Sequence, residues 1–237
     1  KIEFDHVSFS YGNTEVLKDI SFTVEPGETV VVMGETGSGK TTLAELIPRI
    51  YDVNSGEVRV DGVSVNRLKL KQLRHNIGFA TQDVLLYSDT IDGNISFGNS
   101  DMPEEDVVKY ARDADADGFI RKLSDGYETI VGERGVGLSG GQKQRISLAR
   151  ALAVKPSILI LDDTTSAVDL ETEKHIQESL SNLDFPCTKL IIAQRISTAK
   201  YADKIIVLKD GKILEQGTHD ELIKKDGYYR DVFELQK

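Results

Sequence analysis

The sequence predicts an α/β fold built on parallel strands, and three observations carry that expectation. Two continuous apolar runs, at 30–33 and 158–161, have the length of strands and the character of strands covered on both faces, as parallel strands are. Residues 1–24 alternate apolar and polar instead, the habit of half-buried antiparallel strands. Between Gln82 and about Lys155 strand patterns give way to helical ones. The expected architecture is one domain over 1–237: an α/β core (1–82 and 156–237), an antiparallel β subdomain at its N-terminal end, and an α-helical subdomain inserted at 83–155.

Taken in order, Ile2, Phe4, Val7 and Phe9, then Ile20, Phe22 and Val24, mark two strands joined by a turn at Tyr11, Gly12 and Asn13. A second turn, Glu25-Pro26-Gly27-Glu28, leads into the apolar run Val30, Val31, Val32, Met33. Glycines at 34, 37 and 39 interrupt that run, and a helix-compatible stretch at 41–50 stops near Pro48. Short strands are expected around Val58 and Val60, and another at 77–80 ending before Thr81 and Gln82. Helices are expected at about 103–112, 115–123 and 141–154, the last with Ile146, Ala149 and Ala153 on one face. Strands should resume at 158–161, 190–193 and 205–208, followed by a hairpin turn at 209–212 and short helices near 219–224 and 228–235.

Composition bounds the function. No apolar run approaches the roughly 18 residues that span a bilayer. The single cysteine, Cys187, has no internal disulfide partner, which suits a reducing compartment. A formal charge of −10 disfavours a nucleic-acid partner, which calls for a basic face. The chain opens on Lys1 without a methionine, so it reads as a piece of a longer protein with more sequence upstream.

The segment Gly34-Glu35-Thr36-Gly37-Ser38-Gly39-Lys40-Thr41-Thr42 matches the P-loop pattern. Its glycines permit successive backbone N–H groups to point into one concavity, and a helix N-terminus follows, so the segment is suited to phosphate. Lys40 would reach the β- and γ-phosphates of a nucleoside triphosphate, and the Thr41 hydroxyl would bind Mg²⁺. Tyr11, on its turn, offers a ring on which an adenine could stack; an exposed turn tyrosine with no such role is the plainer alternative. Asp162 closes the run at 158–161, where ligands of open α/β sheets gather, and reads as a Mg²⁺-holding carboxylate or, alone, as a helix cap. Ser139, Gly140, Gly141 and Gln142 open the long helix and form a second anion-binding N-terminus. With two phosphate cradles in one chain, the simplest geometry turns the second toward a neighbouring chain's nucleotide.

Together, residues 34–42, Gln82, Leu138-Ser139-Gly140-Gly141-Gln142, the strand at 158–163 and Ser166-Ala167-Val168-Asp169 resemble, in order, the nucleotide-binding domains of ATP-binding cassette (ABC) transporters. The resemblance covers essentially the whole chain, and LSGGQ is specific to that family among P-loop proteins. It implies a P-loop NTPase core of RecA-like type, and two such domains sandwiching two ATP molecules between one P-loop and the partner's signature. It further implies that Tyr11 stacks on adenine, that Gln82 links Mg²⁺ to transmembrane helices, and that Asp169 communicates across the dimer. The segment Thr129-Ile130-Val131-Gly132-Glu133-Arg134-Gly135 is similar to one that exporters hold against intracellular loops, and the stretches 90–95 and 211–222 also look like exporter sequence. In exporters a six-helix membrane domain precedes this one, which would put the chain on the cytoplasmic face of the membrane as the part that is itself soluble.

Two positions depart from the family's pattern. A glutamate is expected after Asp162, and Asp163 stands there, shorter by one methylene or about 1.5 Å. A displacement of about 1 Å can lower a rate on the order of a hundredfold. A histidine is expected before Arg195, and Gln194 stands there, able to hydrogen-bond but without a titratable proton. The pair resembles the degenerate site of one subunit in a heterodimeric exporter, with Asp163, Gln194 and Gln82 as the residues about the attacking water. Other readings remain: a regulatory clamp that binds ATP without hydrolysing it, the ATPase subunit of an importer, or a soluble ABC protein acting on nucleic acid.

Overall fold

The computed structural model describes residues 1–132 and 137–237, which form two compact units, 1–75 with 187–237, and 76–186. The first unit begins with strands β1 (Ile2–Tyr11), β2 (Thr14–Val24) and β3 (Thr29–Gly34), helix α1 (Lys40–Leu46), strands β4 (Ser55–Val60) and β5 (Val63–Ser64), and helix α2 (Leu70–His75). The second unit holds β6 (Ile77–Ala80), α3 (Ile91–Ile95), α4 (Glu104–Asp113), α5 (Asp117–Ile120), α6 (Gly140–Ala153), β7 (Ile158–Asp162) and α7 (Leu170–Ser181). The chain then returns to the first unit with β8 (Thr188–Ile192), α8 (Ile196–Ala199), β9 (Lys204–Lys209), β10 (Lys212–Gly217), α9 (His219–Leu222) and α10 (Tyr228–Leu235). Among the described residues no helix is long and apolar enough to cross a membrane.

The alternating N-terminal residues form an antiparallel sheet in the order β2-β1-β4-β5, with Ile2 opposite Val24 and Val60. Its inner face is apolar: Ile2, Phe4, Val7 and Phe9 are buried, and Phe4 stacks on Phe22 with ring centroids 4.6 Å apart. The second sheet of this unit runs β10-β9-β3-β8. Here β3 lies between β8 and β9, parallel to both, with Val31 beside Ile191 and Ile205. Burial on both faces explains why its residues are continuously apolar. The turn expected at 209–212 joins β9 to the antiparallel edge strand β10.

In the second unit β6 and β7 pair in parallel, Ile77 with Ile158 and Ala80 with Leu161. Helix α6 packs on this pair so tightly that a Cβ on Gly78 would lie 2.4 Å from the Ala151 carbonyl oxygen. Near its C-terminal end α6 carries Arg150, which anchors the segment beyond β6. Its Nε donates to the Asn94 carbonyl at 2.9 Å, one Nη to the Leu85 carbonyl at 2.9 Å, and the other to Asn94 Oδ1 at 2.6 Å. The guanidinium also lies 4.9 Å from the centre of the Tyr87 ring.

Helix α7 is the longest element that the periodic pattern does not announce. Its buried face joins Ile176 and Leu180 to Glu173 and Gln177, so half of the packed stripe is polar. The sequence signal for it is the acidic first turn after Asp169, a helix-start signature rather than a hydrophobic one. The short helices α2 and α3 are likewise below what periodicity resolves.

Arg150→Ala removes a charged donor from two carbonyls and an amide oxygen. A loss of about 1.5–3 kcal/mol is expected, the range for hydrogen bonds to charged groups. Scanning calorimetry should register it as a Tm lowered by roughly 5–10 °C. Arg150→Lys should recover little, because one ammonium cannot span acceptors that a planar fork reaches together. Parental stability in the alanine variant would show that the segment holds itself.

Candidate functional site

The P-loop begins where β3 ends. Gly34 has φ 145°, and a Cβ there would lie 2.2 Å from the Leu208 carbonyl oxygen of β9 and 2.8 Å from Ser38 Oγ. Only glycine meets both demands, the backbone conformation and the close approach. At Gly39, with φ 101°, a Cβ would press on Leu17 Cδ2 at 2.8 Å. Glu35, Thr36 and Gly37 are exposed, and the Ser38 amide turns back to the Glu35 carbonyl at 3.2 Å. Lys40 is buried, its ammonium donating to the carbonyls of Gly34 at 2.8 Å and Glu35 at 2.7 Å. A positive charge is thus held at the mouth of a ring of backbone groups.

The fit of a phosphate to this loop is supported by Ser38. Its hydroxyl is buried with no hydrogen-bond partner among the described residues, an arrangement that folded proteins otherwise avoid. Thr41 faces solvent on the first turn of α1, and Thr42 is buried beside it. The structure brings Tyr11 to this helix: its hydroxyl lies 3.2 Å from Thr42 Oγ1 and 3.4 Å from Glu45 Oε2. The Tyr11 ring meets Phe9 and Tyr51 edge-on, at 4.8 and 5.2 Å, and stays 42% exposed. Burial, aided by the Glu45 carboxylate, raises the pKa of the phenol, so it remains neutral. Tyr51 is a neighbour that sequence reading passed over, since nothing in its local pattern ties it to the Tyr11 turn.

Gln194 follows β8, at the same end of the sheet as Gly34, with the Ala193 amide bonded to the Val32 carbonyl at 3.1 Å. Its side chain is exposed, and its carbonyl accepts a bond from Gln236 Nε2 at 2.9 Å. The same Gln236 amide group accepts the Ile196 N–H at 2.8 Å. A residue beyond α10 therefore braces the loop, a role that no local motif signals.

The second unit carries the remaining candidates. The pairing of Ala80 with Leu161 puts Thr81 and Gln82 at the same edge as Asp162 and Asp163. Gln82 is exposed and Asp162 is 2% exposed. Asp163 sits in the left-handed region at φ 50°, uncommon for a residue with a side chain and tolerated best by Asp and Asn.

Ser139 caps α6 by a reciprocal box. The Gln142 amide donates to Ser139 Oγ at 3.2 Å, and the Ser139 amide to Gln142 Oε1 at 2.9 Å. Ser139 and Gly140 are exposed, whereas Gly141 is pressed against the loop after β7, where a Cβ would lie 2.7 Å from the Ala167 carbonyl oxygen. Of the 129–135 segment, Glu133, Arg134 and Gly135 lie outside the described residues. Thr129 is buried, and Ile130 is 56% exposed. Leu85, Tyr87 and Phe97 are also exposed, with Tyr87 stacked on Phe97 at 4.3 Å. A cavity of about 240 Å³ opens between the 84–86 stretch and residues about Leu138. No cluster of three or more His, Cys, Asp or Glu side chains suited to a metal occurs among the described residues.

A P-loop on a parallel strand, a carboxylate closing another parallel strand and a capped LSGGQ helix define an ATP-binding cassette. Residues 17–166 match the family model described as ABC transporter, and the chain belongs to that family. It is 50% identical over its whole length to a putative multidrug export ATP-binding/permease protein of Staphylococcus aureus (strain NCTC 8325 / PS 47), and 49% identical to one from the bovine strain RF122 / ET3-1. The chain spans 41% of the length of each. Among solved structures it resembles a bacterial Atm1-family ABC exporter with ATP bound, at TM-score 0.95 and 38% identity, covering 99% of this chain and 42% of that one. The chain is accordingly an ABC nucleotide-binding domain of mixed α/β fold, similar to those of the export proteins it matches.

Asp169 stands at the start of α7, its Oδ1 accepting the Glu171 and Thr172 amides at 3.1 and 3.0 Å, its Oδ2 the Thr172 hydroxyl at 3.1 Å. The bonds from the Thr172 amide and then its hydroxyl hold the carboxyl below its ordinary pKa. With a folded pKa under the unfolded one, the cap's contribution is complete above the unfolded value and disappears as pH falls through the folded value. Exchange of the Glu171 and Thr172 amides should quicken across that acidic window in the parent. In Asp169→Asn, which caps without titrating, the pH-linked part of the change should be absent.

Proposed function

We propose that this chain is the ATP-binding and hydrolysing motor of one half of a heterodimeric ABC exporter, with its own site degenerate and its signature serving the partner's competent site. In this reading residues 34–42 hold the triphosphate, Lys40 giving up its loop carbonyls for the β- and γ-phosphates, and Tyr11 stacks on adenine. Thr41, Gln82 and Asp162 supply the oxygen donors that Mg²⁺ takes alongside substrate phosphates, and the ion would spread the charge of the phosphoryl group. Ser139, Gly140, Gly141 and Gln142 present their end of α6 to the partner's ATP, and Asp169 relays the state of one site to the other. Closure of the two domains over two ATP molecules drives export.

The observation that carries the degenerate-site reading is the pair Asp163 and Gln194, each just past the carboxyl end of a core strand. Asp163 is short by a methylene for polarising an attacking water, and Gln194 cannot become charged toward the γ-phosphate. The backbone elements around them are intact, so this chain's ATP is held and turned over slowly. The exposed apolar side chains Leu85, Tyr87, Phe97 and Ile130 support docking of transmembrane helices near Gln82 and the 129–135 segment. In this reading the domain works at the cytoplasmic face of a cell membrane.

Lys40→Ala should weaken Mg·ATP binding, because the phosphates lose their principal cation; calorimetric titration measures it, and unchanged affinity would remove the P-loop from the nucleotide site. The assignment of sites is tested by steady-state ATPase of the assembled transporter. Ser139→Ala deletes a hydrogen bond to a charged group worth about 1.5–3 kcal/mol, which is roughly tenfold or more in rate. It should lower turnover of the complex sharply, whereas Asp163→Asn should change it little. If Asp163→Asn abolishes turnover and Ser139→Ala is harmless, the competent site is this chain's own.

A further inference from the structure

Helix α6 carries a glutamine that none of the roles above uses. Gln144 follows the signature by two positions, faces inward and is 7% exposed. Burying an amide in a helix interior is unfavourable unless each polar end finds a partner. Both ends of Gln144 find theirs in one place, the loop between β7 and α7. Its Nε2 donates to the Asp163 carbonyl at 3.3 Å and to Ser166 Oγ at 3.3 Å, and its Oε1 accepts the Ala167 N–H at 3.3 Å.

The loop also bonds to itself, the Val168 amide reaching the Thr165 carbonyl at 3.3 Å. Ser166 Oγ donates back to the Asp163 carbonyl at 3.0 Å, and the Ser166 amide reaches the same oxygen at 3.4 Å. The Asp163 carbonyl is therefore the atom on which the loop's bonds converge, and it belongs to the residue held at φ 50°. A side chain in that conformation persists where its surroundings over-determine it. One turn earlier on the same helix, Gly141 brings α6 against the Ala167 carbonyl, so the loop is gripped from two positions of α6.

We propose that Gln144 is a positioning residue: a strap that fixes the 163–167 loop to the signature helix, so that the Asp163 carboxylate and the approach to Asp169 move only when α6 moves. Gln144 acts through the backbone it holds. Its consequence for hydrolysis rests on the ATPase reading above; the strap itself does not. Because the loop contains both the residue after Asp162 and the stretch leading to Asp169, loosening it disturbs both nucleotide sites served by this chain.

The test uses the full-length transporter in its assembled form with Mg·ATP. Gln144→Met keeps the volume and removes every hydrogen bond, and Gln144→Glu keeps the acceptor for the Ala167 amide but loses donation to Asp163. For the methionine variant kcat should fall about tenfold while KM for ATP changes by less than about twofold, the signature of a lost transition-state arrangement rather than lost binding. Hydrogen exchange at the Ala167 amide should quicken while the amides within α6 keep their protection. The glutamate variant should keep Ala167 protected and retain most of kcat, because the approach to Asp169 is still held and turnover is set at the partner's site. Parental kcat in the folded methionine variant would overturn the proposal, and so would a fall in kcat accompanied by loss of α6 protection, which marks general unfolding. A parent complex without ATPase activity would sink the functional reading by itself, and Ala167 exchange would still decide whether the strap exists.

Discussion

The approach of Gly34 to the Leu208 carbonyl is the contact on which the first unit's site depends. Because β3 is flanked on both sides by parallel strands, its end is crowded by the backbone of β9. A side chain at position 34 would push β3 away from β9 or swing the loop off its course. With glycine there the chain turns sharply, Ser38 tucks its hydroxyl inside, and Lys40 folds back across the carbonyls of Gly34 and Glu35. The ammonium's position is thus inherited from strand packing. Local propensity alone would leave a glycine-rich loop many shapes.

In the second unit one helix does the corresponding work. Helix α6 closes its own N-terminus with the Ser139–Gln142 box, grips the loop after β7 through Gly141 and Gln144, and anchors the 85–94 stretch through Arg150. These three attachments lie on successive turns of a single rigid rod. Signature, post-β7 loop and exposed apolar stretch are therefore linked by packing of known partners within this unit. Leu85 stays exposed while its backbone is fixed, because Arg150 holds it by its carbonyl and not by its apolar atoms.

The departures at Asp163 and Gln194 affect side chains whose backbones remain well supported. The Asp163 carbonyl receives bonds from Gln144 and Ser166, and the Gln194 carbonyl receives one from Gln236. On the proposed reading, a scaffold kept intact around a shortened and an uncharged side chain suits a domain that binds a nucleotide and closes over it without turning it over quickly. The chemistry of a site and its mechanical frame can diverge in this way because they reside in different atoms of the same residues.

Strand positions and motif order were legible in the sequence because they rest on local features: continuous apolar runs for β3 and β7, alternation for β1 and β2, and glycines with a lysine and hydroxyl at fixed spacing. Antiparallel sheet, parallel-rich sheet, the LSGGQ helix and α10 all follow from such signals, and so does membership of the family. Helix α7 escaped because its buried stripe includes Glu173 and Gln177, a face that only tertiary partners make favourable. Tyr51 beside Tyr11, Gln236 beneath Gln194 and Gln144 under Asp163 escaped for a related reason. Each is a contact between residues distant in the chain, and a polar side chain in isolation does not reveal which backbone it will satisfy. Sequence by itself determined which chemical groups the chain owns and the elements that carry them. Only the tertiary structure decided which of those groups hold one another in place, because burial turns an ordinary amide into one that must find its partners.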